Sequence, residues 1–443
     1  MQDSYLRPSN RRRRPPTPKW LRVLAILLAG LLLALLIYNL PPFKERLAWR
    51  VEALRTRIVY FFNPPQDAVF QPQITTISQP TQQPTRTPHA TQPATAVPLP
   101  SQVQLDGFTY VDQHNRLNYC GPANMTMALN FWGWEGDRDD VARYVKPGIG
   151  SNPNQPEDKN VMPYEMEDFA NTQVPGMQAL IRMGGEMDTL KRLLAAGFPA
   201  IVEKGYYTTD ISGKYSWLGH YQFVTGYDDA EGVFIVQDTY ERGGENDTGK
   251  NMRWPYEDFY SAWRQFNFLF IVVYPQAQQA ALLEALGPWA DEQWAFTHAM
   301  QTARADSETL SGLDAYYAWF NVGTNHVRLL EYADAAHAYD YAFQLYQGLD
   351  PETRPYRMLW YQSWPYWAYY YSGRYADVIA LANVTLLETI AEPTLEESIY
   401  WRGLAREAIG ETDNAIADYR EAVRLNPNFG PGIAQLQRLG VSP

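Results

Sequence analysis

The 443-residue chain has one cysteine, few charged side chains and fewer basic than acidic residues. Cys120 has no second cysteine to pair with, which excludes an internal disulfide and a cysteine-rich zinc site. Lys and Arg number 37 against 49 Asp and Glu. Residues 1–62 hold 12 basic and three acidic side chains, so residues 63–443 carry a net charge of −21. Such an acidic body repels phosphate backbones, and we expect no nucleic-acid partner.

Histidine is also scarce, with six in the chain. Five of them show no ligand-like spacing to one another or to Cys120, namely His114, His220, His298, His326 and His337. We therefore expect neither a bound metal nor a cofactor. Hydrophobic residues nevertheless make up 46% of the chain, which excludes a fully disordered protein and leaves room for two or three domains.

A long apolar run lies near the N-terminus. The nearest charges on either side of it are Arg22 and Lys44, which leaves 21 uncharged residues between them. About 20 apolar residues in a helix span the hydrocarbon core of a bilayer. A core helix would show a polar face, and a signal peptide would have a shorter apolar region with a small-residue cleavage site. The run therefore predicts an uncleaved transmembrane helix over 22–42.

The flanking charges favour one orientation. Seven basic residues precede the run and five follow it, and the side with more Lys and Arg stays in the cytoplasm. We expect a cytoplasmic tail over 1–21 and an extracytoplasmic body. Residues 43–62 have the pattern of an amphipathic juxtamembrane helix at the membrane surface, or of a helix that simply continues out of the membrane.

A segment rich in Pro, Thr and Gln follows. Of the 37 residues 64–100, nine are Pro, seven Gln and seven Thr. This composition buries too little apolar surface to offset the entropy of ordering. We therefore predict an extended linker over 63–104, which separates the body from the bilayer.

The body changes character near residue 275. Residues 105–275 mix helical patterns with strand-like runs, whereas residues 276–443 show helical patterns only. The segment 396–429 is 34 residues long and carries small residues, an aromatic residue and a Pro at the positions typical of a tetratricopeptide repeat. Weaker copies lie at 332–346 and 373–387. A generic helical bundle is the alternative, and a repeat array would indicate a protein partner.

Cys120 is the candidate nucleophile. It precedes Gly121 and Pro122, which suit the first turn of a helix that continues as MTMALNFWGW. The unpaired N–H groups and the dipole at a helix N-terminus favour a thiolate. A buried and inert thiol is the alternative.

His220 and Asp238 are the candidate partners of Cys120. They lie in two strand-like runs joined by a turn at 228–231, which predicts a hairpin that brings the imidazole close to the carboxylate. The carboxylate would orient one ring nitrogen while the other accepts the thiol proton. The amide of Gln113 could donate to an oxyanion. His114 competes with His220 as the base, but it is close in sequence to Cys120.

The order Gln113, Cys120, His220 and Asp238 resembles the catalytic residues of cysteine peptidase family thirty-nine. This family of papain-fold enzymes includes the bacteriocin-processing peptidases. The resemblance covers residues 105–274 and implies an α+β papain-like domain with Cys120 as nucleophile and His220 as base. It also implies that Asp238 orients the base and that Gln113 stabilises the oxyanion. The chain lacks the phosphate-binding loop of the exporter to which bacteriocin-processing members are fused, so it is more similar to the stand-alone C39-like relatives.

These observations predict a membrane-anchored, extracytoplasmic cysteine peptidase whose helical repeats recruit a protein substrate or partner. Two other functions remain open. The first is a catalytically inactive peptide-binding module on a repeat scaffold. The second is a thiol amidase or acyl transferase acting on cell-wall peptides, because a thioester intermediate serves these reactions as well.

Overall fold

The computed structural model describes residues 19–38, 41–73, 98–147, 159–210 and 213–443. It divides into two compact units, Met1–Leu54 and Arg55–Pro443. Most of the predicted cytoplasmic tail, and residues 74–97 of the predicted linker, lie outside the described residues.

Two helices begin the described chain, α1 (Lys19–Tyr38) and α2 (Pro41–Phe62). By length and composition, α1 is able to cross a membrane. It begins three residues before the predicted span and ends at Tyr38, whereas α2 begins ahead of the predicted juxtamembrane helix. Two adjacent prolines, Pro41 and Pro42, open α2, a position where the missing N–H of proline is tolerated.

A seven-stranded antiparallel sheet forms the centre of the larger unit, within the residues described. Its strands are β1 (Gln102–Gln104), β2 (Met177–Arg182), β3 (Ala200–Thr209), β4 (Tyr215–Asp228), β5 (Val233–Asp238), β6 (Met252–Pro255) and β7 (Phe270–Pro275). In space they follow the order β2-β7-β3-β4-β5-β6, and β1 pairs with the end of β4. The long β4 therefore lies inside the sheet, between β3 and β5.

Helices cover both faces of this sheet. They are α3 (Cys120–Phe131), α4 (Arg138–Val145), α5 (Pro163–Gln173), α6 (Met187–Ala195) and α7 (Tyr256–Arg264). Alternate residues of β7 divide between two cores, as the two-residue period of a strand requires. Ile271 and Val273 pack with α3, α4 and α5, whereas Phe270 and Val272 pack with α6 and α7.

Helices alone make up the rest of the chain. They are α8 (Gln279–Leu286), α9 (Glu292–Thr309), α10 (Gly312–Arg328), α11 (Tyr332–Gln347), α12 (Met358–Tyr361), α13 (Trp364–Tyr371), α14 (Tyr375–Val384), α15 (Glu396–Ala408), α16 (Thr412–Leu425) and α17 (Gly430–Arg438), with short 3₁₀ turns before α9 and a π-helical turn after α14. All of 276–443 is described, and it contains no strand. This part agrees with the predicted all-α region.

Two helix pairs of this region pack in the same way. Gly323 on α10 faces the ring of Tyr339 on α11, and Gly403 on α15 faces the ring of Tyr419 on α16. A Cβ atom built on either glycine would come within 2.8 Å of a ring carbon. Glycine therefore lets each helix approach the tyrosine of its partner, as expected for paired repeat helices.

The two regions of the larger unit share their cores. Trp217 and Phe266 of the sheet region pack in the largest hydrophobic cluster, whose other members come mainly from the helical region. Leu282 and Trp289 in turn pack against the sheet. The predicted boundary at 275 thus separates two kinds of secondary structure, but it does not separate two independently packed bodies.

Residues 55–73, which we call the strap, lie on the helical region. Phe70 is 4% exposed, and its ring centroid lies 5.1 Å from that of Phe343. The Asp67 carboxylate binds Arg354 at 2.8 Å and accepts a hydrogen bond from the Tyr346 hydroxyl at 2.6 Å. The predicted extended linker is therefore wrong for residues 63–73, because Phe70 and Asp67 find partners there. It is also wrong at its other end, where β1 pairs with β4.

A buried group of charges joins the sheet region to the helical region. The Lys159 ammonium binds Glu165 at 2.9 Å and Glu396 at 2.8 Å, and all three side chains are at most 7% exposed. Asn426 donates to both carboxylates. The Lys159 cluster, as we call these residues together with Glu397, holds more carboxylates than cations, and burial raises the pKa of Glu397 to about 8.

Candidate active site

Cys120 is the first residue of α3. The helix is buried along most of its length, and its beginning is held against β4 by Asn124. The Asn124 side-chain amide donates to the carbonyl of Cys120 at 2.8 Å and to that of Tyr221 at 2.9 Å. One buried amide therefore fixes the helix start beside the strand that carries His220.

His220 lies on β4 and is 3% exposed. Its Nε2 atom lies 3.0 Å from Oδ1 of Asp238, and its imidazole interacts with the Cys120 thiol strongly enough to shift the pKa of both groups. Since Nε2 faces the carboxylate, Nδ1 is the ring atom left for the sulfur. The structure thus brings Cys120, His220 and Asp238 together at one site.

Asp238, at the end of β5, is fully buried and accepts several hydrogen bonds. The side-chain amide of Gln222 donates to it at 2.6 Å, and the backbone N–H groups of Tyr240 and Glu241 each donate at 2.8 Å. The Lys204 ammonium lies 3.7 Å from its second oxygen. These donors fix the carboxylate and keep it ionised.

The pKa values of the three groups shift in the directions that favour an ion pair. Burial alone would raise the pKa of Cys120, but the hydrogen bond and the charge of His220 outweigh burial and lower it. Burial likewise opposes the charged form of His220, yet Asp238 raises its pKa from 6.5 to about 9. The pKa of Asp238 is lowered despite its burial, because His220 and Lys204 stabilise the carboxylate. The thiolate and imidazolium forms are thus favoured near neutral pH.

Gln113 borders the cavity that Cys120 and His220 line. The Thr239 hydroxyl donates to Oε1 of Gln113 at 2.7 Å, and the Gln113 N–H donates to the Thr239 carbonyl at 2.9 Å. Because the amide oxygen is engaged, the NH₂ group is the part of this side chain that serves as a donor. His114, the competing base, instead has Nδ1 2.7 Å from the Asp112 carboxylate and stacks on Tyr240.

The cavity at Cys120 has a volume of 130 Å³. Residues of the sheet region, 105–275, form only part of its wall. The strap contributes Thr56 and Tyr60, and the helical region contributes three further residues, Arg357, Trp360 and Tyr361.

Residues 97–271 match a protein-family model described as "Peptidase_C39 like family". This region is similar to the C39-like cysteine peptidases. The predicted α+β fold class and the predicted enzyme class are thus confirmed. The solved structure of xylellain, a cysteine protease from Xylella fastidiosa, is similar over 48% of this chain and 97% of its own, with 15% identity and a TM-score of 0.27. No curated protein matches the chain.

Three residues of the peptidase domain escaped the sequence analysis: Asn124, Lys204 and Gln222. Asn124 lies one turn after Cys120, so its spacing along α3 was a usable signal. Gln222 lies two residues after His220, on the same face of β4, and is directly opposite Asp238. Lys204 is paired with His220 across β3 and β4, which only the strand register reveals.

A possible cation-binding group lies outside the peptidase domain. Among the described residues, His326, Glu331 and Asp334 each place one ligand atom within 4.8 Å of the others. The imidazole of His326 is already paired with Glu331 at 2.7 Å, and two of the three residues are exposed. A hydrogen bond at the α10–α11 turn accounts for this arrangement.

Proposed function

We propose that the chain is a membrane-anchored cysteine peptidase that hydrolyses peptide bonds with Cys120 as nucleophile and His220 as base. Asp238 orients the imidazole, and Gln113 donates to the oxyanion. The observation that carries this proposal is the position of His220, which lines one cavity with Cys120 at a helix start and makes a hydrogen bond with a buried carboxylate.

In the acylation step the Cys120 thiolate attacks the carbonyl carbon of the scissile bond. A C–S bond forms, and the carbonyl electrons move to an oxyanion that accepts hydrogen bonds from the Gln113 amide and the N–H groups at the start of α3. When the oxyanion collapses, the C–N bond breaks and the His220 imidazolium gives its proton to the leaving amine. The products are a free amine and a thioester on Cys120.

Water completes the reaction. The neutral His220 takes a proton from a water molecule, whose oxygen attacks the thioester carbon. The C–S bond then breaks, the product leaves as a carboxylic acid and the thiolate–imidazolium pair is restored. Asp238 does not change protonation in either step, because its donors keep it ionised.

Two measurements on the purified protein test this assignment, hydrolysis and alkylation of Cys120 by iodoacetamide at pH about 6. Cys120→Ser should abolish both. His220→Ala should lower both, whereas Gln113→Ala should lower turnover by about 10²–10³-fold and leave alkylation unchanged. His114→Ala is the matched control and should behave like wild type. An unreactive Cys120 at this pH would favour the inactive binding module.

The membrane location is part of the same proposal. We propose that α1 anchors the chain with residues 1–21 in the cytoplasm, supported by the excess of basic residues before the apolar run. Protease added to intact cells should then digest the body beyond residue 44. A body that is digested only after the membrane is opened would exclude this orientation.

The helical region is proposed to recruit a protein substrate or partner through tetratricopeptide-like repeats. The equivalent packing of Gly323 on Tyr339 and of Gly403 on Tyr419 supports this view. The neighbouring rings of Tyr332 and Tyr371 stack at 4.6 Å, and Tyr371 is 52% exposed. A Tyr371→Ser variant should lose hydrolysis of a protein substrate while keeping that of a short peptide. Equal effects on both would exclude recruitment through this surface.

A further inference from the structure

The active-site cavity is walled by residues from outside the peptidase domain. Tyr60 of the strap is 7% exposed and lines the same cavity as Cys120 and His220. Trp360, from α12, lines the cavity too and is 2% exposed. The resulting space of 130 Å³ is well below the roughly 300–1,000 Å³ typical of ligand pockets.

The helical wall approaches the catalytic strand closely. Tyr361 packs on Gly219, the residue before His220, so that a Cβ atom built on Gly219 would lie 2.8 Å from a carbon of the Tyr361 ring. The main chain of α12 is fixed from the peptidase domain as well, because Asn160 donates to the Trp360 carbonyl at 3.1 Å. Glycine at position 219 thus permits a contact that a side chain would prevent.

The strap is anchored on both sides of Tyr60. Before it, Arg55 binds the Glu392 carboxylate at 2.7 Å. After it, the Asn63 side chain donates to the Ala391 carbonyl at 2.7 Å, and the backbone N–H of Gln66 donates to the Glu388 carbonyl at 3.1 Å. Further along, Phe70 is buried in the helical core. A segment held at this many points forms a fixed wall.

We propose that Tyr60 is a specificity-determining residue, which, together with Trp360, restricts the active site to short peptides and chain ends. This inference rests on the proposed function and names its substrate class. An internal segment of a long polypeptide has to continue past the scissile bond in both directions. The ring of Tyr60 occupies space that such a segment would need, whereas a chain end requires room on one side only.

Two alkylating probes with the same reactive group test the proposal on the full chain, iodoacetamide and its bulky fluorescein derivative. In wild type the bulky probe should label Cys120 much more slowly than the small one. Tyr60→Ala should raise the bulky-probe rate about tenfold and leave the small-probe rate within about twofold. Phe61→Ala is the matched control, because Phe61 is the next residue of α2 and is 81% exposed.

A second variant works in the opposite direction and does not depend on removing a buried ring. Thr56 is partly exposed and lines the same wall, so Thr56→Trp should narrow the cavity and slow the bulky probe more than the small one. If the small probe labels wild type at pH about 6 but neither variant changes the ratio of the two rates, the wall is not the barrier and the inference fails. If the small probe does not label wild type, the proposed function itself fails.

Discussion

Replacing Asp238 with Asn should convert the reactive ion pair into a neutral thiol and imidazole. The carboxylate is the main reason that the pKa of His220 rises from 6.5 to about 9 against the effect of burial. Without the charge, burial dominates and pulls the imidazolium pKa below its ordinary value. The rise from 6.5 to about 9 corresponds to on the order of 3 kcal/mol of stabilisation of the imidazolium, and the variant should lose at least this much. The pKa of Cys120 should rise in response.

The same substitution should also destabilise the fold, because Asp238 is the partner of a buried cation. Lys204 is 1% exposed, and its ammonium has no hydrogen-bond partner among the described residues other than the ion pair with Asp238. Removing one partner of a buried pair costs about 3–5 kcal/mol. The double variant Asp238→Asn with Lys204→Met should therefore recover part of the melting temperature without recovering the reactivity of Cys120.

The assay is alkylation of Cys120 by iodoacetamide, followed by intact mass over pH about 4 to 10, with thermal melting by circular dichroism as the folding check. Wild type should be labelled already at pH about 6, and Asp238→Asn should be labelled at least about tenfold more slowly there. Glu231→Gln removes an exposed carboxylate from the turn of the same hairpin and should match wild type. A folded Asp238→Asn variant with an unchanged labelling profile would refute the reasoning.

Three further predictions concern the scaffold. Burial raises the pKa of Glu397 to about 8, so between pH about 4.5 and 8 the unfolded chain loses a proton that the folded chain keeps, and stability falls as the pH rises through this window. Glu397→Gln should therefore reduce the fall in melting temperature between these pH values. An unchanged dependence of the melting temperature on pH would contradict the raised pKa of Glu397. Gly403→Ala places a Cβ atom 2.8 Å from the Tyr419 ring and should cost about 1–3 kcal/mol in urea unfolding, whereas Gly430→Ala meets no atom within 4 Å and should cost less than Gly403→Ala. Asn124→Ala breaks the two hydrogen bonds that this buried amide donates, and it should cost about 1–3 kcal/mol and slow the alkylation of Cys120 at pH about 6. Unchanged stability and an unchanged alkylation rate would show that this amide does not position the helix.

The hairpin that carries His220 and Asp238 was predictable from two β-rich runs around a turn, but its register was not. Folding the sequence about the middle of the turn at 228–231 places Asp238 opposite residue 221, whereas in the structure Asp238 is paired with Gln222, one residue further along. A β-bulge between Val224 and Gly226 also changes the register along the hairpin, and the sequence shows no sign of it. The two side chains still meet, because residues two positions apart on one strand share a face and contact diagonally.

The strap shows why composition alone misled the prediction. Residues 63–73 have the proline and glutamine content of a linker, and their ordering depends on Phe70 and Asp67. The partners of these side chains lie more than 270 residues further along the chain. No local periodicity encodes such contacts. The aromatic wall of the cavity escaped prediction for the same reason. In the sequence, Trp360 and Tyr361 are two aromatic residues of a helical region, and nothing local indicates that they contact the distant peptidase domain.

The anchoring of the strap also sets an order of events during synthesis. The strap leaves the ribosome early, but Asp377 and Glu392, which hold Gln73 and Arg55, follow 304 and 337 residues later. At about 5–20 residues per second, the strap waits roughly 15–70 s for these partners. The complete sheet is made before then. The nascent peptidase domain therefore passes through a stage in which neither the strap nor the helical region yet covers its cavity. The proposed restriction on its substrates would therefore begin only when translation is almost complete.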